Sequence, residues 1–224
     1  MIASVVIPAW GEENLLVDCL SALERNTEAI ETIVVDNGMG WDIHADQVIR
    51  NTENQGYAKA CNAGAALAKS NTLIMLNMDT EVQPGWLPPL LAALDDSGVA
   101  MSGPRIIRPD GSLQTSGGIR TWHGNGSAGG EELKTEGPSC DTDGVTGACM
   151  CIRKNVWDAH GGFCEAYWCA YEDVDFCLTI AEAGWRARYV AESTIVHHEG
   201  ASGAARWVGA GAAVALMNQR WGSR

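Results

Sequence analysis

The sequence predicts an α/β fold: a single Rossmann-like, mostly parallel sheet flanked by helices, with a small antiparallel portion in its second half. Three observations carry this. Short apolar runs alternate with segments of helical period from residue 4 to residue 102. Two of those runs end in polar clusters, Asp36-Asn37-Gly38 and Asn77-Met78-Asp79, which sit where ligands of open α/β sheets bind, at the carboxyl ends of strands. After Gly103 the pattern changes, and Pro109-Asp110-Gly111 signals a hairpin turn.

Taken in order, residues 4–7 form a first buried strand, broken by Pro8. Residues 12–24 place Leu15, Leu16, Cys19, Leu20 and Leu23 at the spacing of an amphipathic helix. Strands follow over 32–35 and, more briefly, 47–49. Gly56 precedes an Ala-rich helix over 57–68. Leu73-Ile74-Met75-Leu76 reads as a buried strand, then come a helix over 86–94 and a strand over 99–102. Residues 117–144 are rich in Gly, Ser, Thr and Asp with little apolar period, and read as a long functional loop. A strand over 145–152, a helix over 172–183, short strands over 187–190 and 194–197 and a closing helix over 204–221 complete the chain. No repeat or linker divides it, so residues 1–224 read as one domain.

Composition excludes several classes. A net charge of -13 argues against tracking along nucleic acid and against an anionic membrane surface. No apolar stretch approaches the ~18 residues of a spanning helix, so no transmembrane segment is expected. The first residues lack the basic region and cleavage site of a signal peptide. The 8 cysteines form no CxxC pairs, and Cys19, Cys61, Cys149, Cys151 and Cys177 fall in apolar segments where the thiol acts as a small hydrophobe. A reduced, cytoplasmic protein is the expectation.

Several segments, in order, are similar to family 2 glycosyltransferases, and in particular to rhamnosyltransferase-like members. Val5-Val6-Ile7-Pro8 followed by Glu12 resembles the opening strand and donor loop, and Val34-Val35-Asp36-Asn37 the second-strand motif. Asn54-Gln55-Gly56-Tyr57-Ala58-Lys59-Ala60-Cys61-Asn62-Ala63-Gly64 resembles the family's NxG-containing segment, and Leu76-Asn77-Met78-Asp79-Thr80 a variant DXD motif. Gly161-Gly162-Phe163-Cys164-Glu165, Tyr171-Glu172-Asp173-Val174-Asp175, His197-His198-Glu199-Gly200-Ala201-Ser202 and Asn218-Gln219-Arg220-Trp221-Gly222 extend the likeness over nearly the whole chain. Two positions depart from the pattern. Asn77 replaces the first aspartate of the DXD motif, and Cys164 replaces the aspartate of GGFDE.

The resemblance implies a GT-A fold, with residues 1–103 binding a nucleotide sugar and 104–224 facing the acceptor. It implies inverting transfer of a sugar from a dTDP- or UDP-linked donor to a hydroxyl on a glycan, protein or lipid-linked saccharide. Pro8, Ala9, Glu12, Asp36, Asn37, Gly56, Asn62, Asn77, Met78 and Asp79 are the implied donor-binding residues. Asp79 and His197 are the implied metal ligands, for Mn²⁺ or Mg²⁺. A hard oxygen ligand suits either ion, and an imidazole shifts the balance toward Mn²⁺. In a continuing strand His198 points to the opposite face from His197, so one of the two reaches the site.

Asp173 is the implied general base, with Glu172 and Trp168 on the acceptor side. Glu172, Asp173 and Asp175 also have an ordinary role as acids at a helix N-terminus. Lys59, Arg105 and Arg153 are weaker candidates for phosphate contacts, and Trp122 for a sugar platform. The alternative function is a non-catalytic nucleotide- or glycan-binding module on the same scaffold. Intact Asp79, Asp173 and His197 count against it. A nucleotidyltransferase is disfavoured because Pro8-Ala9-Trp10-Gly11-Glu12-Glu13 is acidic rather than Gly-rich and basic.

Overall fold

The computed structural model describes residues 1–198 and 209–224. The tail of the His197–Ser202 motif and the first part of the expected closing helix lie outside the described residues. The first half runs β1 (Ala3–Ala9), α1 (Glu13–Asn26), β2 (Ile30–Asp36), β3 (Gln47–Arg50), α2 (Tyr57–Leu67), β4 (Thr72–Leu76), β5 (Thr80–Val82) and α3 (Leu87–Ala93). The second half begins with β6 (Val99–Ile107), β7 (Leu113–Thr115), β8 (Gly118–Trp122), β9 (Gly129–Glu132), β10 (Cys140–Thr142) and β11 (Gly144–Val145). It ends with β12 (Cys149–Arg153), α4 (Lys154–His160), α5 (Glu172–Glu182), β13 (Arg186–His197) and α6 (Ala210–Trp221).

A 10-stranded sheet in the order β10-β13-β6-β12-β4-β1-β2-β3 forms the body, with β5 added on β13 and β7 on β6. The block β3-β2-β1-β4 is parallel, and β6 and β13 are parallel to each other. Between these blocks β12 runs antiparallel to both β4 and β6. The central strands are buried on both faces: every residue of β1 is buried, as are Leu73 to Leu76 of β4. This is why they read as unbroken apolar runs. Helix α2 lies close against β1 because residue 64 is glycine; a Cβ there would stand 2.3 Å from Val6 Cγ1.

Several elements differ from the sequence expectation. The segment 117–144 is not a loop: it holds β8, β9 and β10 and the start of β11, with β11-β8-β9 making a separate 3-stranded sheet. These strands are short and Gly-rich, and their partners lie far along the chain, so no local period announces them. The two strands expected over 187–190 and 194–197 are one 12-residue strand, β13, with an irregularity between Val190 and Thr194. The hairpin signalled by Pro109-Asp110-Gly111 is present as the antiparallel pair β6–β7, whereas strand β5 and helix α4 are too short to show a period in the sequence. Cys19, Cys61, Cys149, Cys151 and Cys177 are buried free thiols. Burial pushes the Cys19 and Cys151 thiols up to about 12, which keeps them protonated and inert. No described helix is long and apolar enough to cross a membrane.

The C-terminal helix is held by one buried carboxylate. Asp175 accepts hydrogen bonds from Arg220 Nε (2.6 Å) and Trp221 Nε1 (2.7 Å) on α6, and from the Tyr167 hydroxyl (3.3 Å). Asp175→Ala should therefore lower stability by about 2–3 kcal/mol, below the range for fully buried pairs because Arg220 is partly solvated. Urea denaturation measures this, and an unchanged midpoint would refute the anchoring role.

Candidate functional site

The strand ends converge on one cavity of about 650 Å³, within the range of small-ligand sites. The β1 end supplies Pro8 and Trp10, β2 Asn37, the turn before α2 Asn54 and Gly56, and the β4–β5 turn Asn77, Met78 and Asp79. The opposite wall comes from Ile119, Glu131 and Glu132 of the small sheet, from Thr146 to Ala148, and from Trp168 to Val174 at the start of α5. Among the described residues no lysine or arginine lines it, whereas Asp79, Glu131, Glu132, Glu172 and Asp173 do.

Asp79 is placed by a tight turn and a strand pairing. Thr80 Oγ1 donates to the Asn77 carbonyl (2.7 Å), closing the turn, and Trp10 N–H donates to Met78 Sδ (3.1 Å) from across the cavity floor. Strand β5 then pairs antiparallel with β13, with Thr80 opposite His197, and His198 N–H donates to the Asp79 carbonyl (2.8 Å). The pairing brings His197 Nε2 to 3.1 Å from Asp79 Oδ1, with both residues only 8% exposed. His198 points away and pairs with Glu81 (2.6 Å), as alternation along a strand requires.

This donor set fits a hard divalent cation. Neighbouring ligands of an octahedral ion at ~2.1 Å stand roughly 3 Å apart, so the spacing of the carboxylate oxygen and the imidazole nitrogen suits two ligands of one ion. Among the described residues no group of three His, Cys, Asp or Glu side chains forms a metal cluster. The two together would supply only part of a coordination shell, leaving the rest to a ligand and water.

Asp173 stands at the other side of the cavity, in the first turn of α5. Its Oδ2 accepts from Gly147 N–H (2.9 Å) and its Oδ1 from Val174 N–H (2.8 Å). Burial raises its proton affinity above the usual aspartate range, against the pull of those two donors. Burial, and then the charge of Asp173, pushes neighbouring Glu172 up to about 8, and Glu172 Oε2 is buried without a hydrogen-bond partner. The backbone leading in is strained: Ala170 (φ 73°) and Tyr171 (φ 70°) are consecutive left-handed residues without being glycine. Such a conformation costs of order 1 kcal/mol or more per residue and clusters at functional sites.

The remaining expected residues divide. Trp168 is 44% exposed at the cavity edge. Gly56 (φ 85°) allows a close approach, and the approaching group is protein: a Cβ there would lie 2.7 Å from the Trp168 carbonyl oxygen. Ala9, Glu12, Asp36 and Asn62 do not line the cavity. Asp36 is satisfied by Met39 N–H, Gly40 N–H and Arg50, so it shapes the turn beside Asn37. Asn62 grips both backbone polar groups of Phe163 (2.9 and 3.0 Å), fixing the loop after α4. Arg105 pairs with Glu136, and Arg153 donates to the carbonyls of Leu94 and Asp96, just after α3, and of Val99 at the start of β6. Trp122 is exposed on β8 and does not line the cavity.

Gln114, Trp10, Tyr57, Glu131, Glu132, Thr146 and Tyr171 line the cavity without having been singled out from sequence. Tyr57 had a detectable signal, since its N–H and hydroxyl bond Trp168 and Gly147 from within the NxG segment. Gln114 had none, because its place depends on strands that come together from distant parts of the chain.

Comparison with known proteins agrees with this architecture. The chain is 27% identical over 203 residues to a pre-mycofactocin glycosyltransferase of Mycobacterium tuberculosis, covering 87% of this chain and 42% of that protein. It is 30% identical over 143 residues to an N-acetylglucosaminyl-diphospho-decaprenol L-rhamnosyltransferase of the same organism, covering 57% of this chain and 47% of that one. The chain spans less than half the length of these curated relatives. In fold it matches a Pyrobaculum calidifontis mannosyltransferase solved with GDP-Man and Mn²⁺ (TM-score 0.69, 16% identity, 96% of this chain and 62% of that chain). The fold is of the GT-A type. Residues 4–160 match the family described as Glycosyl transferase family 2, and the chain belongs to that family.

Proposed function

We propose that this chain is a metal-dependent, inverting glycosyltransferase that moves a sugar from a nucleoside-diphosphate donor to an acceptor hydroxyl. One observation carries the reading: a single cavity holds the Asp79–His197 pair at one side and the Asp173 carboxylate at the other. A donor diphosphate entering it meets no lysine or arginine among the described lining residues, so the charge that builds on the leaving group needs another counter-charge. A divalent ion, Mn²⁺ or Mg²⁺, would supply it as a Lewis acid. Asp79 and His197 hold that ion, and Asn77, Met78, Pro8, Asn37 and Gly56 shape the donor side.

At the acceptor side, Asp173 takes the proton of the attacking hydroxyl. The acceptor oxygen forms its bond to the anomeric carbon, and the bond to the diphosphate oxygen breaks with its electron pair leaving on the diphosphate. Attack from the face opposite the leaving group inverts the anomeric centre. Of the two neighbouring carboxyls, Asp173 is the one held at the cavity wall by two backbone donors, in position to act as the base. Trp168 offers an exposed ring face to an acceptor sugar. The division at residue 103 is not clean, because His197 and Gln114 reach the donor side from the second half. The sequence resemblance favours dTDP- or UDP-linked donors and leaves a glycan, protein or lipid-linked saccharide as acceptor; the relative named for rhamnosyl transfer to a diphospho-decaprenol-linked sugar favours the last of these.

Asp173→Asn should reduce transfer at least ~100-fold while leaving nucleotide affinity near wild type; retained turnover refutes the base assignment. EDTA should abolish transfer, with recovery on adding Mn²⁺ or Mg²⁺, and full activity in chelator would refute the metal reading. Glu172, normally near 4.5, is raised to about 8 in the fold, so the folded state binds the extra proton across that interval. Its contribution to stability is complete below about 4.5 and is lost as pH rises through 8. Glu172→Gln should flatten the stability profile over this window in denaturant melts taken at several pH values. A profile identical to wild type would contradict the buried, proton-holding state.

A further inference from the structure

We propose that Gln114 is a positioning residue that sets the tautomer of His197, turning its Nε2 lone pair toward Asp79 when the cation binds. The proposal rests on the metal reading above. Gln114 sits on β7, which pairs with β6 (Ile106 opposite Thr115), while β6 pairs with β13 (Ile106 opposite Ile195). This stack of registers places the Gln114 side chain behind the His197 ring. The amide is 4% exposed, and its Nε2 lies 3.1 Å from His197 Nδ1. The other ring nitrogen, Nε2, faces Asp79 Oδ1 at 3.1 Å.

A neutral imidazole carries one N–H, so what Gln114 offers at Nδ1 decides what the ring offers at Nε2. With the amide nitrogen donating to Nδ1, the ring proton sits on Nε2 and points at Asp79. That closes a histidine–carboxylate hydrogen bond and leaves no lone pair for an ion. With the amide turned over, its oxygen accepts from Nδ1–H and Nε2 is free to ligate. The two ends of the amide have nearly the same shape. As placed, Gln114 Oε1 is buried with no hydrogen-bond partner among the described residues, so no bond at that end holds the amide against a half-turn. A hydrogen bond to the remote nitrogen of a metal-bound histidine fixes ring orientation and raises ligand strength.

The test is Mn²⁺ affinity of the whole chain, read as free-ion signal by electron paramagnetic resonance with UDP or dTDP present. Gln114→Glu can only accept at Nδ1 when ionised and should bind Mn²⁺ at least as tightly as wild type. Gln114→Met, similar in size but unable to accept strongly, should bind roughly 10- to 100-fold more weakly. If Gln114 merely fills space the order reverses, with Met harmless and Glu disruptive, and that result overturns the proposal. Nitrogen-15 spectra of the wild-type chain with Mg²⁺ and nucleotide decide the matter even where a variant fails to fold. A proton on Nδ1 of His197, assigned in the wild-type chain by through-bond correlations within the ring, supports the assignment, and a proton on Nε2 overturns it. Wild-type chain that binds no Mn²⁺ with either nucleotide overturns the metal reading and this inference together, whereas binding indifferent to Gln114→Met overturns this inference alone.

Discussion

The antiparallel pairing of β5 with β13 is the constraint on which the Asp79–His197 side of the cavity depends. β5 is only three residues long, yet it puts Thr80 opposite His197 and Val82 opposite Ile195. That register, with the bond from His198 N–H to the Asp79 carbonyl, brings together a carboxylate and an imidazole 118 residues apart. A slip of one residue would turn His197 outward and bring His198 in, because side chains alternate along a strand. Burial behind the pair makes the register specific. Val82 and Ile195 are both in the core, so a slipped pairing would expose them.

The opposite side of the cavity is built by a different device, the N-terminus of α5. Its three acids have separate surroundings. Asp175 points inward to the α6 anchor, Glu172 is buried with one oxygen unpartnered, and Asp173 takes hydrogen bonds from Gly147 and Val174 at the cavity wall. A helix N-terminus favours negative charge, which offsets part of the cost of crowding these carboxyls. The left-handed residues Ala170 and Tyr171 set the direction from which the helix starts. They are held there by the bond from Tyr57 N–H to the Trp168 carbonyl and by the close contact over Gly56. The NxG segment and the acidic segment are thus two parts of one structural unit, more than 100 residues apart in sequence.

Much of this was legible in the chain. The parallel block could be read because its strands are buried on both faces and leave unbroken apolar runs, and α1 because one face packs on the sheet. The carboxylates at the ends of β2 and β4 could be read because strand ends are where polar residues interrupt such runs. The segment 117–144 could not, since β8 to β11 are two to five residues long and gain their stability from distant partners. Asp36 and Asn62 illustrate a further limit. Their motifs are recognisable, but only the surrounding hydrogen bonds show that both are occupied in holding turns, which is a different task from lining the cavity.

By itself, the sequence determined the α/β class, the order of its principal strands and helices, and the residue types available for chemistry, because periodicity and burial are local and repeat along the chain. Tertiary structure alone decided which of those residues meet. It chose His197 over His198 through strand register, separated Asp173 from Glu172 and Asp175 through the direction of one helix, and brought in Gln114 through two successive pairings. Each choice depends on contacts between residues far apart in sequence, and no local pattern encodes the distance between them.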